Sequence, residues 1–339
     1  MAVIRDVIPV FELYQPTTVD DALALLERHT TDAWVLAGGL DSMDWLKDRL
    51  KKPKVVVDLT QVKPLNGIKE AAGGGLEIGA MTTLTEVVRH PIVREKYSLL
   101  MQAAELVASP QIRNQGTIGG NVSQDTRCWY YRGGWTCYRA GGNICYADTP
   151  TAINREHAIF DADRCVAVNP SDTAPALVAL DARMVIRGPR GERVINAEDY
   201  WIGPGIDITR MNVLAPNELL VAVRIPETMA GADFYFEKVR DRQVWDFPLV
   251  NVASAIKPDK GNGNIGEMRL VVNAVAATPK RLKNVEAAVV GKPRNEQTAE
   301  LGGQIAVQGA QPLRYNGYKV PLMRNLVKRA IRGVPAATT

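Results

Sequence analysis

All four cysteines of this 339-residue chain lie between Cys128 and Cys165, within 38 consecutive residues. They follow the pattern Cys128-x8-Cys137-x7-Cys145-x19-Cys165, which contains no C-x2-C pair of the kind found in zinc ribbons. A chain of this length can bury a core without disulfides, so clustered cysteines in a reducing compartment favour a metal site. We therefore expect irregular loops that bring the four thiols together.

The residues around the cysteines are unusually aromatic and basic. Six Trp and Tyr residues fall between positions 128 and 146, and Arg127, Arg132 and Arg139 accompany them. Four thiolates on irregular loops suit an iron–sulfur cluster, which the aromatic rings would shield and the arginines would partly neutralise. Spacing alone leaves three interpretations open: an iron–sulfur cluster, which the pattern favours, a structural zinc ion, or free buried thiols.

Two glycine-rich turns could bind phosphate. The first, Ala37-Gly38-Gly39-Leu40-Asp41-Ser42, connects a predicted strand to a predicted helix, where backbone N–H groups favour an anion. The second is Thr117-Ile118-Gly119-Gly120-Asn121. One such turn is weak evidence, but two in one chain could hold the phosphates and sugar of a dinucleotide. The run from Gly261 to Gly266 also reads G-x-G-x-x-G, but it precedes a predicted strand, so we expect a hairpin loop there.

The pattern of helices and strands predicts an α+β protein with two domains. Residues 1–60 alternate helix and strand as an α/β lobe, and residues 61–228 form a second lobe with a cysteine-rich insert at 123–168. After a boundary near residue 230, residues 231–334 predict a small domain. It has three strands at 234–239, 249–256 and 268–277 and helices at 280–290, 296–307 and 318–332.

Composition and the remaining polar residues exclude several functions. The chain has 41 Lys and Arg against 37 Asp and Glu without a concentrated basic face, so no nucleic-acid partner is expected. It has no apolar run long enough for a membrane span, and its N-terminus does not read as a signal peptide, so we expect a cytoplasmic location. The three histidines are scattered, and no nucleophile or acid–base pair stands out. We assign no catalytic residue.

Several longer motifs carry a resemblance to a known family. They are Val35–Ser42, Gln111–Asn121, Asn169–Leu177, Leu214–Leu220 and Phe236–Arg240. With these motifs the chain resembles the FAD-binding (medium) subunit of the molybdenum hydroxylase family, which implies a two-part PCMH-type FAD-binding domain and a small α+β C-terminal domain. The cysteine insert resembles that of the FAD subunit of 4-hydroxybenzoyl-CoA reductase, which carries an additional 4Fe–4S cluster. Some bacterial aldehyde oxidoreductase FAD subunits have a similar insert.

The resemblance also implies which residues bind the cofactors. The implied FAD contacts are Val35, Leu36, Ala37, Gly38, Gly39, Leu40, Asp41, Ser42, Val107, Thr117, Ile118, Gly119, Gly120, Asn121, Asp172, Leu214 and Lys238. The implied 4Fe–4S ligands are Cys128, Cys137, Cys145 and Cys165. Asp172 would accept hydrogen bonds from ribose hydroxyls, and Lys238 would place a positive charge near the flavin. Many relatives have Thr where this chain has Leu40.

The implied enzyme is an oxidoreductase built as a dimer of heterotrimers. A large subunit would hold a molybdenum cofactor, a small one two 2Fe–2S clusters, and this chain FAD and a 4Fe–4S cluster. Electrons would pass between molybdenum and an external carrier such as ferredoxin, which Arg127, Arg132 and Arg139 would attract. The insert is expected to supply no FAD contact. Two rivals are a stand-alone flavin oxidase of the same fold with a structural zinc loop, and a scaffold without enzymatic activity.

Overall fold

The strands of the N-terminal lobe form a small parallel sheet. The computed structural model describes residues 7–333. The first six residues, from which we expected no signal peptide, lie outside the described residues. The predicted domain end at residue 334 also lies outside them. Strands β1 (Glu12–Tyr14), β2 (Ala33–Leu36) and β3 (Val55–Asp58) pair in the order β1-β3-β2. Helix α1 (Val19–His29) buries Ala22 and Leu26 beside this sheet, and α2 (Ser42–Lys47) follows β2.

The second lobe is built on a five-stranded antiparallel sheet in the order β4-β5-β8-β6-β7. Its strands are β4 (Ile68–Glu70), β5 (Leu76–Gly79), β6 (Arg183–Gly188), β7 (Gly191–Asn196) and β8 (Leu219–Ile225). Its helices are α3 (Leu84–Arg89), α4 (Pro91–Lys96), α5 (Ser98–Glu105), α6 (Pro110–Gln115), α7 (Ile118–Ser123), α8 (Trp129–Arg132) and α9 (Thr173–Ala179). The fully buried α9 packs in the core against α5 and α7.

The C-terminal domain has one sheet with helices packed against it. Its antiparallel strands β9 (Asp233–Val239), β10 (Val250–Pro258), β11 (Ile265–Asn273) and β12 (Lys280–Arg281) are followed by α10 (Lys283–Val289), α11 (Glu296–Ala306) and α12 (Lys319–Arg332). The predicted α+β fold is confirmed. The sheet has a fourth strand because Lys280 and Arg281, predicted as the start of a helix, pair with Val272 and Val271. The run from Gly261 to Gly266 covers the end of the hairpin loop between β10 and β11 and the first two residues of β11, so the predicted hairpin is confirmed.

The cysteine segment is mostly irregular, with one short helix and single turns. Its second half lies against the C-terminal domain. Asn316 Nδ2 donates to the carbonyl oxygens of His157 and Ala158, both at 3.0 Å. The backbone N–H of Ile159 donates to Val275 O at 2.9 Å. The segment therefore connects the second lobe to the C-terminal domain. No helix among residues 7–333 is long and apolar enough to cross a membrane.

Candidate cofactor site

The two glycine-rich turns predicted from the sequence lie against each other. Gln115 Nε2 donates to Gly38 O at 2.7 Å. A Cβ atom at Gly38 would lie 2.3 Å from Gln115 O, and one at Gly120 would lie 3.6 Å from the Ala37 Cβ. Only glycine permits the contact at position 38, because no other side chain fits that distance. Gly38 and Gln115 are 77 residues apart in the chain, and their contact brings the two turns together as one surface.

The first turn has the free donors that an anion needs. Among the described residues, no acceptor bonds the backbone N–H groups of Gly39, Leu40 and Asp41. Gly39 has φ +79°, a left-handed conformation that glycine adopts readily. Strand β2 ends just before this turn and α2 begins just after it, so the free donors lie at a helix N-terminus. These observations fit the pyrophosphate of a dinucleotide.

The second turn is the capped first turn of α7, and its donors are already used. Thr117 Oγ1 accepts from the Gly120 N–H at 3.0 Å, and Thr117 O accepts from the Asn121 N–H at 2.9 Å. The N–H groups of Ile118 and Gly119 donate to Thr82 O and Ala80 O. The second turn therefore offers shape rather than free backbone donors, and the grip on phosphate rests on the first turn.

Asn121 connects the second turn to the segment around Asp172. Its Oδ1 accepts from Ser171 Oγ at 2.7 Å and from Thr173 Oγ1 at 2.6 Å. The Asp172 carboxylate in turn accepts from Lys238 Nζ at 2.6 Å. The chain therefore brings together predicted site residues from α7, α9 and β9.

Asp172 and Lys238 form a buried ion pair with every polar atom engaged. Their side chains are 4% and 0% exposed. Lys238 Nζ also donates to Leu106 O at 3.1 Å and to Asp246 O at 2.7 Å, and Asn251 Nδ2 donates to the second Asp172 oxygen at 3.1 Å. Burial raises the pKa of Asp172, and the Lys238 ammonium opposes that rise. Both side chains are occupied by protein partners. The expected contacts of Asp172 with ribose and of Lys238 with flavin therefore stay predictions.

The other predicted FAD contacts lie around these groups. Val107 follows Leu106, whose carbonyl binds Lys238, and Leu214 packs against the core of the second lobe. Leu40 lies beside Gly116, so it contributes packing there. Ser42 Oγ accepts from Trp34 Nε1 at 3.0 Å. The sequence analysis did not identify Asn251 as a site residue. The pattern that could have identified it is an asparagine within the otherwise mostly apolar, buried strand β10.

Two family models match successive parts of the chain. The FAD binding domain in molybdopterin dehydrogenase matches residues 9–228, and the CO dehydrogenase flavoprotein C-terminal domain matches residues 234–334. The chain belongs to the FAD-binding subunits of the molybdenum hydroxylase family. The aldehyde oxidoreductase FAD-binding subunit PaoB of Escherichia coli K12 is 32% identical over 315 residues, which cover 92% of this chain and 94% of that protein.

Carbon monoxide dehydrogenase gives both a sequence and a structural match. The medium chain from Hydrogenophaga pseudoflava is 28% identical over 328 residues, covering 95% of this chain and 96% of its own. The structure of that organism's enzyme lacking the Mo-pyranopterin moiety matches with a TM-score of 0.76 at 28% identity and covers 96% of each chain. This molybdenum hydroxylase FAD subunit is therefore an FAD-binding oxidoreductase subunit.

In this FAD subunit, Asp41 of the first glycine turn is anchored to the cysteine segment. Its Oδ1 accepts from Arg132 Nη2 at 2.7 Å and lies 3.0 Å from Arg127 Nη2. The Arg132 guanidinium also lies over the Trp45 ring, 3.6 Å from its centroid. The expectation that the insert supplies no FAD contact stays a prediction, but ion pairs that local sequence does not reveal join the insert to the FAD turn.

The arginines expected to attract an acidic carrier are mostly turned inward. Arg139 is 4% exposed and donates to Asp125 Oδ1 at 2.7 Å and to Ile208 O at 2.8 Å. Arg132 is 14% exposed in its pair with Asp41. A charge neutralised inside the protein contributes little to steering, so these two residues do not form a docking surface. Their positions correct the electrostatic expectation.

The four cysteines are free thiols in one neighbourhood of the FAD subunit. Cys128 and Cys137 pack with Trp45 and Tyr131. Burial raises the pKa of Cys128 to about 12, and nearby Cys165 and Cys145 add to the rise. Within residues 7–333, no three His, Cys, Asp or Glu side chains stand in a ligand arrangement for a metal ion. The described residues therefore show no preformed metal site, and the expected 4Fe–4S cluster stays a prediction.

A histidine that sequence reasoning left without a role lies beside this cluster of thiols. His157 Nε2 is 3.3 Å from Cys128 Sγ, and the residue is 3% exposed. Burial lowers its pKa to about 4, and the nearby Lys319 ammonium adds to the effect. The ring is therefore neutral at physiological pH. The 29-residue separation from Cys128 gives no local pattern that could have identified it.

Proposed function

We propose that this chain is the FAD- and 4Fe–4S-binding electron-transfer subunit of a molybdenum hydroxylase-family oxidoreductase. It passes electrons between the molybdenum and 2Fe–2S subunits and an external one-electron carrier of the ferredoxin type. One observation carries the proposal. The turn with unbonded backbone N–H groups at Gly39–Asp41 is joined by the Arg132–Asp41 ion pair to the segment that holds the four free thiols. The resemblance of the cysteine insert to that of 4-hydroxybenzoyl-CoA reductase is part of this proposal.

FAD would be held on the surface made by the two glycine turns. The N–H groups of Gly39, Leu40 and Asp41 would donate to the pyrophosphate, and the turn at 117–121 would lie under the adjoining sugar. FAD supplies the exchange of one or two electrons when bound. The buried pair of Asp172 and Lys238 fixes the positions of Leu106 and Asp246 at the flavin end.

The cluster would be held by Cys128, Cys137, Cys145 and Cys165. Tyr131 and Trp45 shield this neighbourhood from water, and Arg139, which lies close enough to lower the pKa of Cys165, would offset negative charge on the cluster. A 4Fe–4S cluster adds a one-electron station when bound. Because Asp41 joins the FAD turn to Arg132 in the same segment, the two cofactors would be neighbours.

The substrate reaction is assigned to partner subunits in this proposal. A large subunit would carry the molybdenum cofactor and a small subunit the 2Fe–2S clusters, assembled as a dimer of heterotrimers. The carbon monoxide dehydrogenase relatives are medium chains, which supports such an assembly. The carrier would contact a face other than Arg132 and Arg139, since both are engaged internally.

Metal analysis of the purified chain tests the proposal. We expect about four irons per chain, with FAD bands and a broad shoulder near roughly 400 nm in the visible spectrum. Cys137→Ser should lose the iron, whereas the control Thr136→Ser in the same segment should keep it. Stoichiometric zinc in place of iron would contradict the cluster assignment and favour a structural metal loop.

A further inference from the structure

We infer that Trp245 packs against the isoalloxazine ring of FAD, an inference that rests on the FAD placement in the proposed function. Trp245 lies on the loop between β9 and β10, residues 240–249, and it is 61% exposed. Val244 and Phe247 on the same loop are 58% and 39% exposed. Three large apolar side chains exposed within four residues form a patch of the kind that marks a contact surface. This loop carries none of the FAD contacts expected from the sequence.

One part of the loop is joined to the first glycine turn by a single arginine. Arg127 Nη2 lies 3.0 Å from Asp41 Oδ1, and the same guanidinium lies over the Phe247 ring, 4.4 Å from its centroid. Asp41 is one of the three residues whose unbonded N–H groups are proposed to bind the pyrophosphate. The loop therefore lies one guanidinium group away from the turn proposed for the pyrophosphate.

Another part of the loop contacts the segment at 106–108, which includes the expected FAD contact Val107. The Trp245 N–H donates to Ala108 O at 2.8 Å. Lys238 Nζ donates to a backbone carbonyl on each side, at 3.1 Å in this segment and at 2.7 Å in the loop. The loop thus borders both the turn proposed for the pyrophosphate and the segment proposed for the flavin end.

The loop is held by its own hydrogen bonds in a costly conformation. The Asp246 carboxylate accepts from the backbone N–H groups of Asp241, Arg242 and Phe247 at 3.0, 2.9 and 3.1 Å. Trp245 has φ +55°, in the left-handed region that a residue other than glycine adopts at a cost in free energy. An exposed indole in such a conformation adds little to the stability of the chain alone. Contact with a bound ligand accounts for it.

The isoalloxazine ring is the part of FAD that matches this loop. It is flat and largely apolar, and aromatic rings in contact gain free energy beyond that of the area they bury. Adenine is the other flat part of the cofactor. Trp245 is bonded to the segment at 106–108 and not to the first glycine turn, and this favours the flavin end over the adenine end.

The test compares Trp245→Gly, Trp245→Tyr and Tyr315→Ala in the full chain after removal of its FAD. Glycine adopts φ +55° readily, so the urea midpoint of Trp245→Gly should equal or exceed that of wild type. The same variant should bind FAD about tenfold more weakly in a titration followed by flavin fluorescence. Trp245→Tyr keeps a ring and should bind FAD within about threefold of wild type. The control Tyr315→Ala removes an aromatic side chain that is 51% exposed between α11 and α12, and it should change neither quantity.

Two further readouts identify the part of FAD that Trp245 contacts. Binding of ADP, measured by calorimetry, should be the same in Trp245→Gly as in wild type, because ADP has no isoalloxazine ring. The visible bands of bound flavin should lie closer to those of free FAD in Trp245→Gly than in wild type.

The outcomes separate this inference from the proposed function. A wild-type chain that binds no FAD would overturn both. Unchanged FAD affinity and flavin absorbance in Trp245→Gly would overturn only the Trp245 contact. An equal loss of FAD and ADP affinity would also overturn it, because the indole would then act at the adenine end. Weaker FAD binding together with a lower urea midpoint would assign Trp245 to the fold of the loop and overturn the contact as well.

Discussion

Removal of the Lys238 ammonium should destabilise the FAD subunit more than almost any other single change. Lys238→Met leaves the Asp172 carboxylate buried with only Asn251 as a partner. Breaking a buried pair on one side costs about 3–5 kcal/mol, against a total stability of about 5–15 kcal/mol for a folded domain. The upper part of that range applies because both side chains are less than 5% exposed.

The double variant Lys238→Met/Asp172→Asn should recover much of that loss. It removes both charges, so the remaining cost is the lost donor to Leu106 O and Asp246 O, about 1–2 kcal/mol. Urea unfolding of wild type, both single variants and the double variant gives the coupling energy, which we expect to be at least about 3 kcal/mol. Single-variant effects that simply add would refute the assignment of a coupled pair.

The pH dependence of Lys238→Met provides a second check. Burial already raises the pKa of Asp172, and loss of the ammonium raises it further. A carboxyl group with a raised pKa in the folded state takes up a proton on folding, so its favourable contribution is complete at acid pH and falls as pH rises through the folded value. The stability difference between Lys238→Met and the double variant should therefore be smaller at about pH 5 than at about pH 8. A stability difference between the two variants that does not change with pH would contradict a raised pKa of Asp172 in Lys238→Met.

Two further changes test the surface formed by the turns and its anchor. Gly38→Ala should lose bound FAD and about 1–3 kcal/mol of stability because its Cβ would lie 2.3 Å from Gln115 O, while Gly317→Ala, with no atom within 4 Å, should retain both. Absorbance of the purified variants reports their flavin content, and full occupancy in Gly38→Ala would refute the close approach. Arg132→Met should speed FAD release and cost about 1–3 kcal/mol, because Asp41 loses its shortest hydrogen bond and keeps only Arg127 and the 3.3 Å bond from Trp45 Nε1 among the described residues. Unchanged FAD dissociation, measured by dilution and fluorescence, would show that the anchor does not position the turn.

The sequence predicted those helices and turns whose formation depends on residues close together in the chain. The capping residue Thr18 and the acidic residues after it identified α1, whose cap receives a bond from the Asp21 N–H. The hairpin at 261–266 followed from its position before an apolar strand. The two glycine turns, which the sequence suggested could hold one dinucleotide together, lie against each other. In each case the information lies within a few residues or in a shared ligand.

The missed features all depend on partners far apart in the chain. Arg132 is 91 residues from Asp41, and Lys238 is 66 residues from Asp172. A charged residue in sequence has no preferred partner until the fold brings one near, so arginines beside cysteines were read as a carrier surface. Burial then decided their role, since a desolvated guanidinium needs an internal acceptor. The same reasoning explains why a scattered histidine was left without a function.

The long-range contacts change the physical interpretation of the insert. Arg132 attaches its first part to the FAD turn through Asp41, and Asn316 and Lys319 attach its later part to the C-terminal domain. A loop tied at both ends has little freedom to move relative to either neighbour. If a cluster forms between those attachments, its distance to the flavin is set by the fold and not by loop fluctuation. Electron transfer depends steeply on distance, so the ion pair at Asp41 has a functional reason to exist beyond stability. That is why Arg132→Met should change FAD release and cluster-to-flavin electron transfer together.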